Sequence, residues 1–249
     1  MARPPRPEEQ ETVLSAALAR VRAAAPGGVV VFDLDSTLLD NRPRLARVLE
    51  DYGRMAGLPE LLGARPEHWR GWSLEAALRN AGLPAELVEE HVGPARRFFA
   101  DWFLTNAYCR LDTVVPGAPA YVRSMAEAGA VLAYVSGRPR GMVEGTRSSL
   151  CGHGFPPDDG RSAHLFLKPV RELSDDAWKL QAIPLVERLG PVLAVFDNEP
   201  THVNAYARAW PEALAVHLDT DHSGRPVEVL PAIPSVLDFT RVVRDSTRR

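Results

Sequence analysis

Residues 29–40 read VVVFDLDSTLLD. Four apolar residues, three of them β-branched, run straight into two aspartates, and Pro26-Gly27-Gly28 stands immediately before them. A continuous apolar run that follows turn residues reads as a strand buried on both faces, as in a parallel sheet. Asp33 and Asp35 then fall just past the carboxyl end of that strand, with Ser36 and Thr37 behind them. In open parallel sheets that end is where ligands bind. Two carboxylates two residues apart can face one small site in different surroundings. One then stays ionised as nucleophile or metal ligand while the other exchanges protons.

Other readings of the same stretch fail on particular residues. Asp33, Asp35 and Thr37 match positions 1, 3 and 5 of a calcium loop, but Leu38 stands where its glycine belongs and Arg44 where its glutamate belongs. A dinucleotide site needs a glycine-rich turn after the first strand, and DLDST is not one. No GxxxxGK[ST] segment occurs, which excludes a P-loop nucleotide hydrolase.

Working outward, similar apolar runs recur at 131–135, 164–167, 192–196 and 213–217. Helical spacing marks 9–25, 117–129, 139–149, 174–189 and 200–210, and Ile233, Val236, Leu237 and Val242 read as a closing helix. Strands alternating with helices predict an α/β fold of βαβ units, a parallel sheet with helices on both faces. The alternation breaks once. Residues 43–110 hold only helical patterns, and a structureless loop of that length is foreign to a compact domain. The reading is therefore a core of 1–42 and 111–249 with a helical subdomain at 43–110 inserted after the first strand.

Composition narrows the function. The 249 residues are 45% hydrophobic and 24% charged, with a formal net charge of −3. That balance favours a soluble globular protein and offers no basic stripe for nucleic acid or a membrane surface. Arg241, Arg244, Arg248 and Arg249 read as a solvated tail. Cys109 and Cys151 form no CxxC pair, so neither a disulfide framework nor a zinc site is expected. The opening MARPPRPEEQ lacks the apolar region of a secretory leader, and no apolar run approaches bilayer length; the cytoplasm is the expectation.

Two further strand ends carry chemistry. VLAYVSGRPR, 131–140, finishes in Ser136 and Gly137, a hydroxyl and a close backbone approach suited to a phosphate oxygen. VLAVFDNEPTHVN, 192–204, ends in Asp197 with Glu199 two residues on, oxygen ligands suited to magnesium. A cation is expected between these segments to offset the carboxylates and a phosphate, and Lys168 and Lys179 are its candidates.

Asp33-x-Asp35-x-Thr37, Ser136, a lysine and Asp197, in that order along nearly the whole chain, resemble the haloacid dehalogenase (HAD) superfamily. The resemblance implies a Rossmann-like three-layer α/β/α core with the helical insert as a C1 cap, and a phosphatase that hydrolyses a phosphomonoester with Mg2+. Asp33 would be the nucleophile that becomes an aspartyl-phosphate and also binds metal. Asp35 would protonate the leaving oxygen and then activate water, its backbone carbonyl completing the metal shell. Ser136, Thr37, Gly137 and a lysine would hold the phosphoryl oxygens, and Asp197 would bind metal. Lys179 is favoured as that lysine because it begins the helix feeding the Asp197 strand, with Lys168 the other candidate. Phe196 and Thr201 stand where many members carry a second acid, so Glu199 is its possible substitute.

The remaining polar clusters read as bland. His217 to His222 reads as a solvated loop, the Trp and Phe residues of the insert as cap core, and His68, Arg70, Arg96 and Arg97 as solvated cap surface. Asp35 favours phosphoryl transfer over dehalogenation. The alternatives are a catalytically weak relative that binds a phosphoryl ligand or a partner protein, and a phosphatase of nucleic-acid ends.

Overall fold

A computed structural model describes residues 5–69 and 71–241. Its strands are β1 (Val29–Phe32), β2 (Leu39–Asp40), β3 (Thr113–Val114), β4 (Val131–Pro139), β5 (Ala163–Lys168), β6 (Val192–Asp197), β7 (Leu214–Leu218) and β8 (Ser235–Val236). Six of them form one parallel sheet in the order β5-β4-β1-β6-β7-β8. The helices are α1 (Pro7–Ala24), α2 (Arg42–Ala56), α3 (Leu74–Asn80), α4 (Ala85–Trp102), α5 (Asn106–Cys109), α6 (Ala118–Glu127), α7 (Val143–Gly152), α8 (Asp175–Glu187) and α9 (Pro200–Ala209).

The unbroken apolar runs follow from cover on both sheet faces. Alternate side chains point to opposite faces of a strand. Val30, Phe32, Leu132, Tyr134, Ala194 and Phe196 meet α1 and α6 on one side, through Leu14, Leu18, Tyr121 and Met125. Val29, Val31, Ala133, Val135 and Val195 meet α8 and α9 on the other, through Trp178, Ala182, Val203 and Tyr206. Three layers result, the α/β architecture expected from the alternation of runs. No helix among the described residues is long and apolar enough to cross a membrane.

Helices α2 to α5 fill the segment between β2 and β3 and bury a cluster of their own, including Leu45, Leu49, Tyr52, Leu61, Trp69, Leu78 and Val88. Strands β2 and β3 pair antiparallel, Leu39 with Val114 and Asp40 with Thr113, so the chain enters and leaves this segment through one two-stranded ribbon.

Some readings need correction. The closing helix is absent among the described residues: Pro231 and Pro234 interrupt it, since proline fixes φ and lacks an N–H, and Ser235–Val236 becomes the sheet's edge strand instead. Val242 lies outside the described residues, as do Arg244, Arg248 and Arg249. Arg241 is no free tail residue; its guanidinium meets Glu11 at 2.7 Å.

One glycine is dictated by backbone approach. Gly117 precedes α6 at φ 77°, and a Cβ there would lie 2.4 Å from the Phe239 carbonyl oxygen. Gly117→Ala is expected to cost about 2 kcal/mol or more, since both the left-handed backbone and the clash oppose it, and urea unfolding of the variant measures this.

Candidate active site

The ends of neighbouring strands bring the chemistry together. Because β1 lies between β4 and β6, the turn after Phe32, the Ser136 region and the end of β6 converge. A cleft of about 390 Å³ opens there, lined among others by Asp33, Asp35, Gly137, Arg138, Lys179, Glu199 and His202.

Residues 33–39 fold into a tight turn. The N–H groups of Thr37, Leu38 and Leu39 all donate to the Leu34 carbonyl, and Leu34, Leu38 and Leu39 are buried in the core. Ser36 takes φ 60°, a left-handed conformation that a non-glycine residue adopts at a cost. Two hydrogen bonds hold it: its N–H donates to Leu39 O at 2.7 Å, and its carbonyl accepts from Thr220 Oγ1 at 2.5 Å.

Lys179 is fully engaged. Its Nζ donates to Asp33 Oδ1 at 2.5 Å, to Asp197 Oδ2 at 2.8 Å and to the Val135 carbonyl at 2.8 Å. Ser174 caps α8 by accepting from Ala177 N, and Lys179 lies on the second turn of that helix, where it points at the strand ends. Lys168 is elsewhere, paired with Asp175 at 2.7 Å. Burial raises the Asp33 pKa to about 7 against the pull of Lys179, and neighbouring Asp197 adds to the rise. Burial also opposes the Asp197 charge, but Lys179 and His202 outweigh it and hold that carboxyl below its ordinary range.

Asp35 sits in a different environment, one that the sequence reading missed. Arg138 donates to both of its oxygens at 2.8 Å, Arg44 Nη2 meets Oδ1 at 2.5 Å, and Asn41 Nδ2 lies at 3.2 Å. The same two arginines hold Asp112, Arg138 at 2.6 Å and Arg44 at 2.9 Å. Burial alone would raise the Asp35 pKa, yet Arg138 and Arg44 drive it well below the usual carboxylate range. This pairing favours the ionised form of Asp35 in the protein as it stands. Accepting a proton remains open to it.

The other expected residues are placed as follows. Thr37 is fully buried and donates to Asn198 Oδ1 at 3.2 Å; Ser136 is fully buried and accepts the Arg138 N–H at 3.2 Å. Neither lines the cleft as described. Gly137 does, and a Cβ there would come within 2.6 Å of the Asp175 carboxylate, so glycine permits that close approach. Glu199 is turned to Ser223 and Arg225, accepting from Ser223 N and Oγ at 3.0 Å, with Arg225 Nη2 at 3.1 Å. The 217–222 loop is not simply solvated: His217 is buried against Ser235 and Asn198, Thr220 braces Ser36, and Asp221 accepts from Gly71 of the insert. Arg70 lies outside the described residues.

Among the described residues no group of three or more His, Cys, Asp or Glu side chains forms a ready metal centre. The donor set nevertheless fits magnesium, which binds through one or two carboxylates and otherwise keeps water or substrate oxygens. Asp33 and Asp197 converge closely enough for one ammonium group to bond both.

A parallel sheet in this order, with a helical segment inserted after its first strand, recurs in solved structures. The chain shares that fold with a HAD-superfamily hydrolase, subfamily IA, of Geobacter sulfurreducens, at TM-score 0.52 and 16% identity over 86% of this chain and 95% of that one. It shares it equally with Protein Tyrosine Kinase A of Mycobacterium tuberculosis, at TM-score 0.53 and 16% identity over 86% and 94%. By sequence it is 27% identical over 120 residues, 46% of its length, to phosphoglycolate phosphatases of Vibrio cholerae and Vibrio vulnificus. It spans about half the length of those relatives, 53% and 52%. No protein-family model matches the chain.

Proposed function

We propose that this protein is a magnesium-dependent phosphomonoester hydrolase that works through an aspartyl-phosphate on Asp33. The observation that carries the reading is the buried Asp33–Lys179–Asp197 triad at the mouths of adjacent parallel strands, with Asp33 and Lys179 lining a cleft. The named phosphatases among its relatives support the reaction class; at their identity and coverage their substrate is not carried over.

An oxygen of Asp33 attacks phosphorus, the bond from phosphorus to the leaving oxygen breaks, and the leaving oxygen keeps that electron pair and takes a proton from water in the open cleft. Lys179, bonded to Asp33 and Asp197, keeps the nucleophile oriented and offsets the negative charge that the phosphoryl group brings. Asp33 and Asp197 would hold magnesium, whose chemistry here is to neutralise charge on the transferring phosphoryl oxygens. In the second half-reaction water attacks the aspartyl-phosphate, its proton passes to Asp35 and from there to solvent, the acyl–phosphate bond breaks, and inorganic phosphate leaves with Asp33 and Asp35 both restored. Arg44 and Arg138 keep Asp35 ionised for that task.

The test is phosphate release from a panel of phosphomonoesters by the purified chain, with magnesium and with chelator, beside Asp33→Asn. Turnover that needs magnesium and disappears in the variant is the expected result. Turnover that survives either removal would sink the proposal.

A further inference from the structure

The insert's aromatic residues are not all core. Trp69 is buried, but Trp72 is 39% exposed and lines the same cleft as Asp33, with Phe103 and Leu104 beside it. Trp72 meets Phe103 edge-on, centroids 5.9 Å apart at 85°. Phe103 is itself fixed, because the Arg44 guanidinium lies 4.1 Å from its ring centroid and Arg44 is fully buried. A half-open indole braced by an immobilised ring offers a planar apolar surface at little cost in conformational entropy.

The lining of the cleft is rich in acid, carrying Asp175, Asp176 and Glu199 besides Asp33 and Asp35. The three arginine and lysine side chains described on the lining are already engaged by carboxylates: Lys179 by Asp33 and Asp197, Arg138 by Asp35 and Asp112, Arg225 by Asp176 and Glu199. A leaving group with its own carboxylate would break one of these pairs or meet like charge, whereas an uncharged ring needs no counterion.

From the Trp72–Phe103 pair that lines the same carboxylate-rich cleft as Asp33, we infer that the preferred substrates are phosphomonoesters whose alcohol carries an uncharged planar aromatic ring. This rests on the phosphatase reading above and refines it. It also separates this chain from the acidic substrate in the names of its Vibrio relatives.

The test compares esters of similar intrinsic reactivity, so that binding rather than leaving-group chemistry is read. Benzyl phosphate, glycerol 1-phosphate and 2-phosphoglycolate are all alkyl esters. With the full chain and magnesium, kcat/KM for benzyl phosphate is expected to exceed that for either of the others about tenfold or more, the scale of one ring-stacking contact. Trp72→Ala is expected to shrink this preference about tenfold, chiefly through KM, and Trp72→Phe to retain most of it. Trp72 is exposed enough that neither change threatens folding. A preference unaltered in Trp72→Ala, or 2-phosphoglycolate turned over as efficiently as benzyl phosphate, overturns the inference and leaves the phosphatase reading intact. Failure of all three esters to be hydrolysed in an Asp33-dependent way overturns both.

Discussion

The Asp33→Asn protein is expected to melt about 5 °C above the unaltered chain at pH 8 in chelator, while its turnover falls about a thousandfold or more. The two effects share one cause. Asp33 and Asp197 are both buried and share a single lysine. Burial holds the Asp33 pKa at about 7, above its ordinary value. A carboxyl raised on folding contributes stability that is fully present below its unfolded pKa and is lost as pH rises through about 7. At pH 8 the metal-free protein must therefore keep an unfavourable charge that asparagine never carries. Loss of the charged bond to Lys179 offsets part of the gain, leaving a net relief of about 2 kcal/mol, at roughly 2–4 °C per kcal/mol for a chain of this size. Magnesium is expected to reverse the order by stabilising the unaltered chain alone, because ligand binding to the native state adds stability by mass action. Melting curves at pH 5 and pH 8, with and without magnesium, decide the matter: the gain should shrink at pH 5, where Asp33 is protonated. A variant that melts lower than the unaltered chain in chelator at pH 8 would refute it.

How much of this was legible beforehand depends on how local each signal is. The strands at 29–32, 131–135 and 192–196 were readable because burial on both faces forces continuous apolar runs. Asp33, Gly137, Lys179 and Asp197 were readable because each follows such a run or opens the helix behind one. Two-residue strands such as Leu39–Asp40 and Thr113–Val114 carry no periodicity, so the ribbon closing the insert could be found only in three dimensions. Arg44 illustrates the limit best. In the sequence it served only to rule out a calcium loop, since nothing local shows that a helix of the insert will turn it onto Asp35 and Asp112. Arg138 had a weak signal, an arginine two residues after Ser136 at a strand end, but its partners stand 103 and 26 residues away. Asp112 had none. Trp72 and Trp69 share the insert's aromatic pattern, and only exposure separates the cleft residue from the core one.

Replacing Arg138 with methionine is expected to lower the melting temperature by about 10 °C and kcat by about a hundredfold. Arg44, Arg138 and Asp112 are each no more than 1% exposed. Two guanidiniums and two carboxylates balance there, and each arginine touches both acids. Removing one arginine leaves buried Asp112 and half-buried Asp35 to one cation, and an uncompensated buried charge costs about 3–5 kcal/mol. Burial already pushes the Asp112 carboxyl upward against the pull of Arg138 and Arg44, so Asp112 is the member that would neutralise first. The second change Asp112→Asn should consequently recover part of the stability lost in Arg138→Met, whereas adding Arg44→Met should cost more than its single effect. The Asp112→Asn compensation is not expected to restore kcat, because Asp35 would still lack the bidentate partner that aims it at the cleft. Urea unfolding of the single and double variants measures the coupling directly. Strict additivity would mean that these four side chains stabilise the protein independently, and that Arg44 does not tie the inserted helices to the strand ends where the reaction is proposed to occur.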